Sequence, residues 1–110
     1  MTAAAALIDR LDRAVRQAVA DGAIGAARSI RLHVGAPDAP PASTLLSLGD
    51  AIFGAARVRT EAAASGNADA ILCVWADGQI GTVSTAISEP PVVVLTVLGP
   101  RGALHFEEGP

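Results

Sequence analysis

The sequence predicts an α+β domain, a two-layer sandwich in which two helices pack on one face of a four- or five-stranded, mainly antiparallel sheet. Three observations predict it. Two stretches, one near the N-terminus and one beginning at Ser43, carry apolar residues at helical spacing. The second half, from Asp69 to Glu107, is a succession of apolar extended segments divided by turn residues. And 110 residues suffice for a single core but not for two independent ones, so residues 1–110 read as a single domain.

In the first helix Leu7, Ile8, Leu11, Val15, Ala18 and Val19 share a side, with Asp9, Arg10, Asp12, Arg13, Arg16 and Gln17 opposite. Thr2 is a candidate cap and Gly22 a stop. Asp9–Arg13 and Asp12–Arg16 are i,i+4 pairs in the favourable order, each worth roughly 0.2–0.5 kcal/mol, so the charged side reads as solvated.

Ser29–Val34 alternates Ile30, Leu32 and Val34 with Arg31 and His33, the period of a strand with one buried side, and turns His33 outward. Residues 35–42 follow as a Pro-rich connecting loop: Pro37, Pro40 and Pro41 remove donors and restrict their neighbours, which excludes helix and central strand. Ser43 is the expected N-cap of a second helix running to about Ser65, with Leu45, Leu48 and Ile52 along one side and Phe53 adjoining. Gly49 and Gly54 each cost a helix interior about 1 kcal/mol relative to Ala, which calls for a packing reason. Gly66-Asn67 then ends the helix.

The extended segments are Ala70–Ala76, Gln79–Ile87, Val92–Leu98 and Ala103–Glu107. Asp77-Gly78 suits a two-residue hairpin turn, and Glu89-Pro90-Pro91 and Gly99-Pro100-Arg101-Gly102 reverse the chain twice more. A meander is expected, with a loose tail at residues 108–110.

Composition removes several classes. Eight basic residues, all Arg, stand against eleven acidic ones, a net charge of −3; nucleic acid is not the expected partner. Val92–Leu98, the longest apolar run, is far short of the roughly 20 residues that span a bilayer. Met1–Leu7 has no basic leader, and one Cys makes no internal disulfide, which points to the cytoplasm. The Ala-rich usage suits a GC-rich bacterial genome. Without Lys there is no Schiff-base chemistry, hence no pyridoxal phosphate enzyme of the usual form, and no Lys-dependent nucleotide site. No cofactor and no metal is predicted: His33 and His105 lack ligand spacing, and Cys73, mid-strand among Leu72, Val74 and Trp75, reads as a core residue.

The order of elements over Ser43–Leu98, a helix preceding three antiparallel strands, resembles roadblock/LC7-type and longin- or profilin-like modules, which implies a fold and no activity. Asn67–Ile87 is similar in layout to a stretch of fold type IV aminotransferases, whose Lys is missing here.

Ala70–Ala76 and Val92–Leu98 are apolar on both sides, and strands of that kind lie inside covered sheets. Two helices cover one face, so the other is expected to be an interaction surface. The sequence thus points to a non-catalytic, homo-oligomeric regulatory, adaptor or accessory subunit. Its contact residues would be Trp75, Ile71, Val93 and Leu95, with Phe53 and the Gly49/Gly54 strip as the other candidate surface. The competing reading is a small cofactor-free enzyme or ligand-binding protein. Its pocket would form between subunits under the Pro37–Pro41 loop, drawing on Arg31, His33, Asp50, Arg57 or His105.

Overall fold

The computed structural model describes residues 3–66 and 68–109. The elements follow as α1 (Ala3–Ala20), β1 (Ser29–Ala36), α2 (Ala42–Phe53), β2 (Arg57–Ser65), β3 (Ala68–Trp75), β4 (Ile80–Ile87), β5 (Val92–Gly99) and β6 (Gly102–Glu108). The strands form one sheet of six, in the order β2-β3-β4-β1-β5-β6. The architecture is two-layer α/β as expected, but the sheet is larger than four or five strands and it is mixed. β1 runs parallel to β4 and antiparallel to β5.

The insertion of β1 between β4 and β5 breaks the expected meander. Its inward residues Ile30, Leu32 and Val34 are buried, and a strand so covered needs a neighbour on each side. β4 reaches it only after the long passage through α2, β2 and β3, as a parallel pair requires. The layout also departs from the helix-then-three-strands order on which the likeness to roadblock-type modules rested, since five strands follow α2.

α1 forms where the apolar spacing places it. Leu11 and Val15 are buried, and Asp9–Arg13 and Asp12–Arg16 are ion pairs at 2.9 Å. It ends in a Schellman motif: the Ala23 N–H reaches the Ala18 carbonyl at 3.1 Å and the Gly22 N–H that of Val19 at 3.0 Å, with Gly22 at φ 73°. The proposed cap Thr2 lies outside the described residues.

α2 is shorter than expected. It begins at Ala42 with Pro41 in the N-cap position and no side-chain cap, so Ser43 does not cap it. It ends at Phe53, where Gly54 adopts the left-handed conformation (φ 59°) and donates its N–H to the Asp50 carbonyl. Residues 57–65 are not helix but β2, paired with β3 from Arg57 opposite Trp75 to Ser65 opposite Ala68. Ala62-Ala63-Ala64 prefers helix in isolation, yet cross-strand pairing overrides a preference of a few tenths of a kcal/mol per residue. Gly66 therefore turns a hairpin; Asn67 lies outside the described residues.

β3 and β4 pair antiparallel around Asp77-Gly78, as expected. The turn is one residue longer than a two-residue type: the Gly78 N–H bonds to the Trp75 carbonyl and the Trp75 N–H to that of Gln79, both at 2.9 Å. Only Gly78 has positive φ there, whereas a type I′ turn needs it at both central positions. The expected loose tail is also partly fixed, because Glu108 closes β6 and accepts two hydrogen bonds from Arg10, at 2.6 and 3.1 Å.

Both helices lie on one side of the sheet and run in the same direction. Ala4 and Ala5 of α1 lie beside Thr44 of α2, and further along Arg16 donates to the Ala51 carbonyl at 3.3 Å. Their inner sides, with Leu11, Val15, Leu45 and Leu48, bury Leu32, Trp75, Val83, Leu95 and Val97 of the sheet. No helix among the described residues is long and apolar enough to cross a membrane.

Candidate functional site

The residues singled out as contacts lie on the covered side. Trp75 and Leu95 are wholly buried, Val93 is nearly so, and Ile71 packs against the same core. In a strand apolar on both sides, composition does not say which side meets the helices. Here Trp75 does, because Gly49 of α2 and Gly81 of β4 leave room for its ring: a Cβ on Gly81 would stand 2.8 Å from Cζ3, and one on Gly49 would overlap Cζ2. Phe53 meets the indole edge-on with centroids 4.9 Å apart. The Gly49/Gly54 strip is thus one glycine that seats Trp75 and one that ends a helix.

Two of the polar candidates, Asp50 and Arg57, belong to the same arrangement. Asp50 Oδ1 accepts the Trp75 indole N–H at 2.9 Å, and Arg57 grips the carboxylate with two bonds of 2.9 and 2.7 Å. The Arg57 guanidinium holds the Asp50 carboxyl below its ordinary pKa; burial opposes it by less, and the indole N–H adds a smaller lowering. This network fixes α2 to β2 and β3.

The other three, Arg31, His33 and His105, all lie on the uncovered face. Cross-strand register sets Thr82, Arg31, Thr96 and His105 in one row over β4, β1, β5 and β6. The next row holds Ser84, His33, Val94 and Glu107. His33 Nδ1 and Ser84 Oγ are hydrogen-bonded at 2.7 Å, His105 Nδ1 and Thr96 Oγ1 at 3.0 Å, and His105 Nε2 meets Glu107 at 3.3 Å. The two histidines keep separate partners with β5 between them, and no group of three or more metal-ligating side chains occurs among the described residues.

A second polar region lies at the Pro37–Pro41 loop, where the sequence placed a candidate pocket, but none of the residues expected there lines it. The carboxyl ends of the parallel pair β1 and β4, the N-terminal turns of both helices and the Pro37–Pro41 loop converge on one rim of the sheet. Two concavities flank Pro40. One, of about 230 Å³, is bounded by Leu7, Arg10, Gly35 and Asp38; the other, of about 280 Å³, by Pro41, Gly66, Asp69 and Thr85. A third groove between the helices is lined by Asp9, Asp12, Thr44 and Ser47.

Buried oxygens without a hydrogen-bond partner among the described residues include Ser88 Oγ at this rim and Asp12 Oδ1 in the groove. Ser88 reaches its place because Gly35 has no side chain, a Cβ there colliding with Oγ, while its N–H bonds the Ala36 carbonyl at 3.1 Å. Only the three prolines of the loop hinted at this place, as a stiff connector over a concavity.

No family model and no curated protein sequence matches the chain. Solved structures do. UDP-N-acetylglucosamine 3-dehydrogenase GnnA from Acidithiobacillus ferrooxidans superposes with TM-score 0.71 at 16% identity, over 91% of this chain and 38% of that one. Scyllo-inositol dehydrogenase from Lactobacillus casei, with bound NAD(H) and scyllo-inositol, gives TM-score 0.69 at 15% identity, over 90% of this chain and 40% of that one. The chain therefore spans about two fifths of the length of the structures it matches, and at such identities the likeness establishes the fold. It corrects the expectation of a non-catalytic adaptor or accessory subunit: the fold is one that occurs within dehydrogenases and oxidoreductases.

Proposed function

We propose that this chain is the substrate-side sheet domain of a dehydrogenase-type oxidoreductase that acts on a hydroxylated ring substrate of the cyclitol or sugar class. The observation that carries the reading is the agreement of nearly the whole chain with parts of dehydrogenases whose names give such substrates.

A dinucleotide does not fit the residues of this chain. Its pyrophosphate requires backbone N–H groups at a glycine-rich strand-to-helix turn. Here the turn from β1 to α2 is Gly35-Ala36-Pro37-Asp38-Ala39-Pro40-Pro41; its prolines have no N–H, and one of them occupies the α2 N-cap position. Nor is the sheet doubly wound, since only β1 and β4 are parallel. No hydride-transfer step is assigned to this chain, and the nicotinamide site belongs to another part of the working enzyme. What the rim contributes is recognition: Asp38 in one concavity and Asp69 in the other as acceptors for substrate hydroxyls, with apolar walls from Leu7 and Pro40.

The test is an amide NMR titration of the chain with scyllo-inositol, UDP-N-acetylglucosamine and NAD⁺. Shifts at Asp38 or Asp69 are expected with one of the first two. Shifts confined to the uncovered face around Arg31, or none with either hydroxylated probe at 50-fold or greater excess (on the order of millimolar affinity being sufficient for detection), would contradict it.

A further inference from the structure

We infer that β2 is a self-association edge, along which a second copy of this chain adds its own β2 antiparallel, so that the two sheets become continuous. This inference stands apart from the reading of the rim.

β2 is the terminal strand of the sheet, and among the described residues it pairs only with β3. All nine of its residues are exposed, including Val58 at 62%. Neither helix shields it, because α2 lies over β3 and β4. The opposite edge is treated differently: Leu104 and Phe106 of β6 pack on the core and Arg10 ties Glu108 to α1. An edge of this length, with half its backbone groups facing outward, is a template for another strand.

Its charges select the partner. Arg59 and Glu61 lie on the same side of the strand and are ion-paired with each other in the single chain. On a two-fold axis through Thr60, antiparallel pairing sets Arg59 opposite Glu61 of the second copy, and Glu61 opposite its Arg59. On the other side Thr60 meets Thr60 of the second copy. No like charges face each other in this register, and opposite-sign cross-strand pairs favour association where like-sign pairs oppose it. Edges that resist pairing carry charges that repel when the strand meets itself, or a proline; β2 has no proline, and its charge pattern is complementary to itself. The irregularity in β2 falls between Arg57 and Arg59, outside the central Arg59–Glu61 segment.

The experiment is sedimentation equilibrium over a concentration series for the natural chain, for Glu61→Arg, and for the exchange Arg59→Glu/Glu61→Arg, with circular dichroism on each. The natural chain is expected to form a dimer. Glu61→Arg, which brings Arg against Arg twice, is expected to weaken it on the order of tenfold, and the exchanged pair to restore it. A natural chain that stays monomeric throughout the series would overturn the inference. So would a dimer that Glu61→Arg leaves unchanged, or one that the exchange fails to recover while the fold is intact.

Discussion

Gly49 and Trp75 occupy one volume: the six-membered ring of the indole lies where a Cβ on residue 49 would be, so the helix approaches the sheet closely only because that side chain is missing. The glycine inside α2 that lowers its intrinsic helix preference is the same one that seats the largest side chain of the core. Gly49→Ala is expected to cost roughly 1–3 kcal/mol through overpacking, despite the better helix propensity of Ala. Urea unfolding followed by Trp75 fluorescence measures it, and an unchanged or higher midpoint would show that the ring moves aside freely.

Gly54 separates backbone conformation from packing. A Cβ there meets nothing within 4 Å, yet φ is 59°. Gly54→Ala should therefore destabilise by about 1 kcal/mol from the left-handed conformation alone. Gly54→Asn, a residue that tolerates that conformation, should lose less, again by urea midpoint.

Asp50 links the core to the surface. Asp50→Ala leaves the buried indole N–H and the Arg57 guanidinium without their acceptor, a loss of roughly 1–3 kcal/mol. The carboxyl sits below its ordinary value because of Arg57 first and the indole second. A group with a depressed folded pKa binds its proton more readily in the unfolded chain, so its contribution is present above the unfolded value, about 4, and is lost as pH falls through the lower folded value. Stability measured from pH 5 downward should fall less steeply in Asp50→Asn than in the natural chain. The side chain is partly exposed, so the difference in slope should be small.

Cys73 is enclosed between the sheet and α2, and burial raises its thiol above the ordinary value. Ellman's reagent at pH 8 should leave the native protein unmodified and react fully once urea unfolds it. Rapid modification of the native chain would place the thiol outside the core.

How much of this was legible depended on whether the signal was local. The Asp77-Gly78 hairpin, the amphipathic α1 with its Gly22 stop and the outward side of His33 are all written within a few residues, and they appear where expected. The fate of Ala62-Ala63-Ala64 is not local. It becomes strand because β3 offers a partner, and Gly54 could have marked the true helix end had it been read as a cap instead of a costly interior residue. The sides of β3 and β5 were undecidable from composition, since each is apolar both ways; the choice rests on Gly49 and Gly81 making room for Trp75. The place of β1 between β4 and β5 depends on a pairing across some fifty residues, for which no short spacing is a signal. The rim around Asp38 and Ser88 exists only once that parallel pair has formed.

As proposed, the chain supplies the substrate side of an oxidoreductase and carries no dinucleotide site of its own. Calorimetric titration of the isolated chain with NAD⁺ tests it most directly. No saturable heat is expected up to millimolar NAD⁺ (weaker than about −4 kcal/mol of binding free energy). A saturable one-to-one isotherm in the micromolar range would contradict it, because the prolines between β1 and α2 would then have failed to exclude the cofactor.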